Sequence, residues 1–245
     1  MNKFELVINH SQDVPNDKIE EFKNGLEKIK NNTPIQYITN HQEFMKLDFY
    51  VDENVLIPQP DTEILVEQVI NYCKSINKNK IKILDLCTGS GCIAISLAKY
   101  VENSEITAID ISMKAIQIAK LNAEKNLVHK KINFIESNMF ENILETDFDI
   151  IVSNPPYIET NVIKNLSEEV KKEPEIALDG GSDGLDFYKI IIDNYDKFIK
   201  KDGKLFVEIG YNQKDKLFDL INQKNKNLKP ICIKDFGGND RVISC

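Results

Sequence analysis

The sequence predicts an α/β fold in which a seven-stranded, mostly parallel sheet carries helices on both faces. Strands and helices alternate strictly from Lys80 onward, and each strand is a short apolar run bounded by turn residues. A glycine-containing turn joins the first of these strands to its helix. Alternation of this kind requires a parallel sheet with right-handed crossovers, so we expect a nucleotide-type sheet.

Residues 1–32 are predicted to form a truncated N-terminal helical segment. Between Pro15 and Lys30, apolar residues recur at spacings of three, four and three, namely Ile19, Phe22, Leu26 and Ile29. This spacing places them on one stripe of a helix. Asp17 and Glu20 have the spacing of a capping box at its start.

Residues 33–60 are predicted to form a β-hairpin linker. The stretch from Ile35 to Ile57 alternates and is rich in Phe, Tyr and Val. Such a pattern is typical of paired strands, and we expect the turn near Lys46 and Leu47.

Residues 61–245 are predicted to form the main domain. Pro58 and Pro60 interrupt the chain, so we expect Asp61 or Thr62 to cap the helix that follows. The predicted strands are IKILDLC, EITAIDI, KINFIES, DFDIIVS, GKLFVEIG, PICIKDF and RVISC. The predicted helices between them run over 92–100, from 112 to about 126, over 185–200 and from about 213.

Composition restricts the classes of function. The formal net charge is −8, which argues against a protein that holds nucleic acid, because such proteins usually present a basic face. No run approaches the roughly 20 apolar residues that span a bilayer, and the first residues do not resemble a signal peptide. The five cysteines show no metal-ligand spacing. We therefore expect a cytoplasmic protein with reduced thiols, no metal, no membrane and no direct nucleic-acid partner.

Two features at the carboxyl ends of the first two sheet strands indicate an adenosine-containing cofactor. The first turn contains Thr88, Gly89, Ser90 and Gly91, where backbone N–H groups at a helix start can approach a ligand closely. Asp110 ends the second strand, about 20 residues further on, where a carboxylate can accept both ribose hydroxyls. These features alone do not separate a dehydrogenase from a methyltransferase.

The sequence Asn154-Pro155-Pro156-Tyr157 at the end of the fourth strand favours a methyltransferase. The glycine turn also lacks the full GxGxxG pattern that a pyrophosphate requires, and S-adenosylmethionine has no phosphate. An amide nitrogen is a poor nucleophile unless its hydrogens are pulled out of plane. The Asn154 side-chain oxygen and the Pro155 carbonyl can accept those hydrogens, the two prolines make the backbone rigid, and the Tyr157 ring can cover the flat target group.

Several motifs together resemble the HemK-type glutamine methyltransferases, which modify the Gly-Gly-Gln loop of class 1 peptide chain release factors in translation termination. The motifs are TPIQYITNHQEFMKLDFYVDENVLIPQPDTEILVE, ILDLCTGSG, IVSNPPYI, EPEIALDGGSDGLDFYKIII and DFGGNDRV, and they extend from about Thr33 to Val242. The resemblance implies a class I, Rossmann-like methyltransferase fold and glutamine contacts from Asn154 through Tyr157. It implies S-adenosylmethionine contacts at Cys87, Thr88, Gly89, Ser90, Gly91, Asp110, Asn138, Met139 and Asn154.

Two other functions stay open at this point. A nucleic-acid base methyltransferase acting on adenine N6 or guanine N2 could use the same Asn-Pro-Pro-Tyr cradle for a flipped base. A catalytically idle cofactor-binding module is the second, suggested by Gln59 and Cys87, where the family usually has arginine and glycine. Methyl transfer to a release factor would distinguish the predicted glutamine methyltransferase from both of these alternatives.

Overall fold

The computed structural model describes Ile8, residues 13–76 and residues 78–245. A small antiparallel hairpin consists of β1 (Gln42–Phe44) and β2 (Leu47–Phe49). The large sheet contains seven strands: β3 (Ile81–Leu86), β4 (Ser104–Asp110), β5 (Ile132–Glu136), β6 (Phe148–Ser153), β7 (Ile199–Glu208), β8 (Ile231–Lys234) and β9 (Asp240–Ser244). All seven predicted strands are therefore present.

Helices cover both faces of this sheet. The α-helices of the described residues, not all of which contact the sheet, are α1 (Asn16–Lys30), α2 (Ile35–Thr39), α3 (Pro60–Ser75), α4 (Cys92–Tyr100), α5 (Met113–Lys125), α6 (Thr160–Ile163), α7 (Asp186–Asn194) and α8 (Lys214–Lys224). Residues of α3 and α4 pack in one core with Phe44 and Phe49 of the hairpin. Residues of α7 and α8 pack in a second core on the other face. The predicted α/β class with a mostly parallel sheet is confirmed.

The strand order of the large sheet is β5-β4-β3-β6-β7-β9-β8. Strands β3 to β7 are parallel, and β9 lies antiparallel between β7 and β8. The chain runs outward from β3 through β4 to β5 and then returns to β6 on the other side of β3. Ligands of open α/β sheets bind at such a reversal, at the carboxyl ends of the strands, so this order directs attention to the loops after β3, β4 and β6.

The helix predicted in the N-terminal segment is present as α1, but its predicted cap is wrong. Pro15 occupies the cap position without a side-chain hydrogen bond, and Asp17 lies inside the first turn. The predicted apolar stripe lies largely on the surface, with 37% of Ile19 and 66% of Phe22 exposed. The division of the chain after residues 32 and 60 stays a prediction.

The predicted hairpin is shorter than its alternating pattern suggested. Its turn consists of Met45 and Lys46, one residue before the predicted turn, and both have positive φ, at 50° and 58°. Positive φ at both central residues gives the twist that two-residue hairpins need. Ile35, assigned to the strand pattern, instead begins α2. Phe44 and Phe49 are buried and pack edge to face with ring centroids 6.1 Å apart.

Two predicted helix boundaries are also wrong. The helix α3 begins at least two residues earlier than predicted, with Gln59 at the cap and Pro60 in the first turn, so neither Asp61 nor Thr62 is its cap. Proline suits the first helical position because its missing N–H would be unpaired there. The helix predicted over 185–200 ends at Asn194, and strand β7 already begins at Ile199.

Candidate active site

The turn after β3 approaches its neighbours so closely that it needs glycine at one position. Gly91 has φ 82°, and a Cβ there would lie 2.9 Å from Ile95 Cδ1 and 3.0 Å from Ala119 Cβ. Glycine therefore lets α4 begin directly against α5. Gly89 has φ 54° and open space where its Cβ would be. Cys87 has φ 61°, so a side chain occupies a left-handed position in this turn.

Asp110 joins the glycine turn to the start of α5. Its Oδ2 accepts a hydrogen bond from the Gly89 N–H at 2.8 Å, and its Oδ1 accepts one from the Ser112 N–H at 2.9 Å. Burial raises the pKa of this carboxyl, against the lowering effect of the backbone hydrogen bonds. Each oxygen keeps a further lone pair that can accept a hydrogen bond from a ligand hydroxyl.

The first cavity of the site lies over the turn and the carboxyl end of β4. It encloses about 900 Å³ when the solvent in its mouth is counted. The residues predicted for cofactor binding that line it are Cys87, Gly89, Asp110, Asn138, Met139 and Asn154. The other three do not line it and are buried behind the turn, namely Thr88, Ser90 and Gly91.

This cavity fits a nucleoside cofactor. Asp110 offers an acceptor pair at the strand end, and the open space at Gly89 leaves room for a ligand against the backbone. Asn138 donates from its Nδ2 to Glu141 at 2.8 Å, which leaves its side-chain oxygen free to accept a hydrogen bond. Ile111 and Met139 supply apolar walls.

The Asn-Pro-Pro-Tyr segment leaves β6 in a fixed position. The Ser153 hydroxyl donates to the Leu86 carbonyl at 2.8 Å and so fastens the end of β6 to β3. Next to it, Asn154 Nδ2 donates to the Oγ1 of Thr62 on α3 at 3.1 Å. Burial raises the pKa of Tyr157 to about 12, so its hydroxyl is neutral.

The backbone of segment 178–184 packs against the Asn-Pro-Pro-Tyr segment and is hydrogen-bonded to the residue that follows it. Ile158 N–H donates to the Leu178 carbonyl at 3.0 Å, and Gly180 N–H donates to the Ile158 carbonyl at 2.8 Å. A Cβ on Gly180 would lie 2.7 Å from Tyr157 Cα, so the two backbones are in contact. This segment is therefore joined to the site by backbone hydrogen bonds.

A second cavity lies on the other side of Asn154. It is lined by the predicted residues Asn154, Pro155 and Tyr157, whereas Pro156 lines the first cavity. Its remaining walls include Gln59, Asp61, Glu173, Glu208 and Arg241. Asn154 lines both cavities, so its side chain lies where a molecule in one would meet a molecule in the other.

Sequence reasoning missed a buried ionisable group in this second cavity. Glu208, the last residue of β7, is 2% exposed, and burial raises its pKa to about 7. Arg241 on β9 forms ion pairs from Nη2 with Asp61 at 3.0 Å and Asp235 at 3.1 Å. The acidic residue inside the apolar run LFVEIG of the fifth strand was the available signal for Glu208.

Sequence reasoning also missed the loop that follows the hairpin and a buried acid below the turn. Asn54, Val55 and Leu56 line the first cavity, although no motif marked them as ligand-binding. Asp85 on β3 is fully buried, accepts a hydrogen bond from Thr88 Oγ1 at 2.6 Å, and has a pKa that burial raises to about 7.

The part of the chain that the structure describes contains no group of three or more His, Cys, Asp and Glu residues that could hold a metal ion. Nor do its helices include one with the length and apolar character that crossing a membrane requires. All five cysteine thiols are free.

Comparison with known proteins places this site in a family. The family model described as "Methyltransferase small domain" matches residues 60–184. A release factor glutamine methyltransferase from Clostridium acetobutylicum is 39% identical over 242 residues, covering 97% of this chain and 84% of the relative. One from Fusobacterium nucleatum is 42% identical over 251 residues, covering 99% and 68%.

A solved structure shows the same fold at low identity. The ribosomal protein L11 methylase from Lactobacillus delbrueckii subsp. bulgaricus has a TM-score of 0.55 and 20% identity, and the match covers 79% of this chain and 82% of that one. The relatives favour neither the nucleic-acid base methyltransferase nor the idle module. The chain belongs to the release factor glutamine methyltransferase family, whose methyl donor is S-adenosylmethionine.

Proposed function

We propose that this protein transfers a methyl group from S-adenosylmethionine to the side-chain amide nitrogen of the glutamine in the Gly-Gly-Gln loop of a class 1 peptide chain release factor. The observation that carries the proposal is the position of Asn154, which lines both cavities of the site. One cavity suits the cofactor and the other suits an amide. Asn154 is then the residue beside which methyl donor and acceptor meet.

The donor is proposed to occupy the cavity over the glycine turn. Asp110 would accept the ribose hydroxyls, and the Asn138 side-chain oxygen would accept a hydrogen from the adenine amine. Cys87 and Met139 would form the apolar wall beside them, and the open backbone of Gly89 would leave room for the ligand. When bound, the cofactor supplies an electrophilic methyl group on a positively charged sulfur.

The acceptor amide is proposed to lie against Asn154, Pro155 and Tyr157. The nitrogen of the Asn154 side chain is engaged by Thr62, so the side-chain oxygen is the atom left to accept a hydrogen bond from the substrate amide. The Pro155 carbonyl accepts the second hydrogen, and the Tyr157 ring covers the amide plane. Holding both hydrogens this way weakens conjugation with the substrate carbonyl and frees the nitrogen lone pair.

Positioning then accounts for most of the rate. An oriented nucleophile in a cavity that excludes water gains from proximity, and fixed hydrogen-bond acceptors stabilise the positive charge that develops on the nitrogen. No strong base is needed, because a methylated amide cation is very acidic and loses its proton to water. The segment 178–184 keeps Tyr157 and Pro156 in place by direct backbone contact.

The proposed partner is a protein, since the glutamine belongs to a folded release factor. Translation termination occurs on ribosomes, so the proposed reaction takes place in the cytoplasm. The second cavity opens beside the acidic side chains Asp61 and Glu173. A loop that carries its own glycines can reach such a recess because glycine lets a backbone approach closely.

The test is methyl transfer from labelled S-adenosylmethionine to a purified class 1 release factor. Matched acceptors are the same release factor with the loop glutamine replaced by glutamate, and total RNA and DNA. We expect label in the first acceptor and none in the others. Label that persists in the glutamate variant, or appears in nucleic acid, would contradict the proposal.

A further inference from the structure

Glu208 ends strand β7, beside the carboxyl end of β6, and its carboxyl is buried at the wall of the second cavity together with Asn154 and Arg241. Its backbone is fixed, because the Tyr188 hydroxyl donates to the Glu208 carbonyl at 2.7 Å. Among the described residues, no group donates a hydrogen bond to its Oε2. A buried acceptor without a partner is costly, which indicates a role other than stability.

Two side chains, Thr62 and Asn154, lie between this carboxyl and the proposed position of the substrate amide. Thr62 and Asn154 both lie near the Glu208 carboxyl, and as hydrogen-bond donors both lower its pKa, against the raising effect of burial. Thr62 Oγ1 already accepts a hydrogen from Asn154 Nδ2 at 3.1 Å, so its own hydroxyl hydrogen is free to be donated. The carboxylate is the strongest acceptor beside it.

We propose that Glu208 is a positioning residue that orients the Asn154 side-chain amide with its oxygen toward the substrate, an inference that rests on the proposed function. The two ends of an asparagine amide have nearly the same shape, so only its hydrogen-bond partners decide which end faces the cavity. A carboxylate accepts and cannot donate. It therefore favours the orientation in which the nitrogen of Asn154 faces Thr62 and the carboxylate, and Oδ1 is left for the glutamine.

Protonation of Glu208 removes this preference. A neutral carboxyl can donate, and it then stabilises the opposite orientation of Asn154 as well. Burial raises the pKa of Glu208 to about 7, so the change falls near neutral pH. The other charged or titratable groups that face it are Asp61, Cys92, Tyr157, Tyr188 and Arg241. Arg241 favours the ionised form and Asp61 opposes it.

The same shift predicts how the residue affects stability. A buried acid whose folded-state pKa is raised costs stability as pH rises from its ordinary value of 4.5 to about 7, and the cost is complete above that pH. Glu208→Gln keeps the shape and removes the charge, so the folded protein should not be less stable at pH 8. A residue retained for stability would give the opposite result.

The experiment compares wild type with Glu208→Gln and with the exposed control Glu102→Gln. We would measure kcat and KM for a class 1 release factor from pH 5.5 to 9, S-adenosylmethionine binding by calorimetry, and Tm at pH 8. For Glu208→Gln we expect kcat to fall about tenfold at pH 8, the size of one hydrogen bond to a charged group, with KM and cofactor affinity unchanged. The fall in kcat on acidification near pH 7, which we expect for the wild type, should be absent from this variant. Its Tm at pH 8 should equal or exceed that of the wild type.

Combining Glu208→Gln with Thr62→Val provides a second readout. If both residues act through Asn154, their losses in kcat should not add. Wild-type kcat and an unchanged acid limb in Glu208→Gln would overturn the inference while leaving the proposed function standing. A lower Tm of Glu208→Gln, together with losses in kcat that add fully in the double variant, would also overturn it. A wild-type protein that methylates no release factor would overturn both.

Discussion

Asn154 and Thr62 are 92 residues apart in sequence, and their side chains are joined by a hydrogen bond of 3.1 Å from Asn154 Nδ2 to Thr62 Oγ1. Thr62 lies in the first turn of α3 and is 2% exposed. The start of α3, outside the nucleotide-binding strands and turns, is therefore part of the candidate active site. Its hydroxyl fixes the side chain that we expect to contact the substrate.

Thr62→Val should lower activity without weakening cofactor binding. Valine has nearly the same shape but cannot accept the Asn154 hydrogen, so the amide loses its fixed orientation. We expect kcat to fall about tenfold, the cost of one hydrogen bond, in steady-state assays with a release factor. Thr62→Ser keeps the hydroxyl and serves as the control. Equal activity of the serine and valine variants would show that the bond does not matter.

Asp110→Ala should weaken S-adenosylmethionine binding by roughly 2–3 kcal/mol, which is the scale of charge-assisted hydrogen bonds. The change also removes the acceptor of the Gly89 and Ser112 N–H groups. Isothermal titration calorimetry measures the effect, and Asp202→Ala, at an exposed carboxylate, is the control. An unchanged Kd for Asp110→Ala would exclude the ribose role.

Gly180→Ala should damage the substrate side of the site more than the cofactor side. An added Cβ would lie 2.7 Å from Tyr157 Cα and 2.8 Å from the Pro156 carbonyl, so the Asn-Pro-Pro-Tyr backbone must shift. A displacement of about 1 Å can cost on the order of 100-fold in rate. Gly238→Ala, with open space at its Cβ, is a control for the general cost of losing a glycine. If the kcat values of the two variants match, the contact with Tyr157 has no catalytic role.

Two buried aspartates should change the stability of the folded protein in opposite directions as the pH rises. Burial raises the Asp85 pKa to about 7, so its ionisation costs stability as pH rises through the range from 4 to 7. The Asp149 pKa is lowered: burial opposes the shift, but hydrogen bonds from Lys200 and Lys78 outweigh it. Its contribution is present above pH 4 and is lost on acidification.

Thermal unfolding of the two asparagine variants at pH 8 checks these signs. We expect Asp149→Asn to lower Tm, since Lys78 and Lys200 lose their shared partner. Asp85→Asn should raise Tm or leave it unchanged, because asparagine can still accept the Thr88 hydrogen and carries no charge. A large loss of Tm in Asp85→Asn would contradict the assigned pKa shift.

The sequence was most informative for features that are determined by residues close together in the chain. The seven strands, the glycine turn, Asp110 and the Asn-Pro-Pro-Tyr segment were all predicted, because apolar runs and local motifs determine them. The helix boundaries at 60 and 194 were wrong by two to six residues, since caps and tertiary packing decide where a helix begins and ends.

The contribution of distant residues to the site was not predicted. Thr62, Glu208 and Arg241 meet Asn154 only after α3, β7 and β9 are packed together. A single sequence carries no signal for that proximity. Thr88, Ser90 and Gly91 illustrate the reverse case: they belong to the predicted turn, yet they are buried behind the cavity surface because the turn folds back on β4 and α5.

The most direct test of the account is fragmentation mass spectrometry of a release factor after incubation with S-adenosylmethionine and this protein. We expect one methyl group on the side-chain nitrogen of the Gly-Gly-Gln glutamine. With Asn154→Ala, the rate of modification should fall 100- to 1000-fold, as expected for loss of one preorganised polar group. A methyl group on any other residue, or wild-type rates in Asn154→Ala, would contradict it.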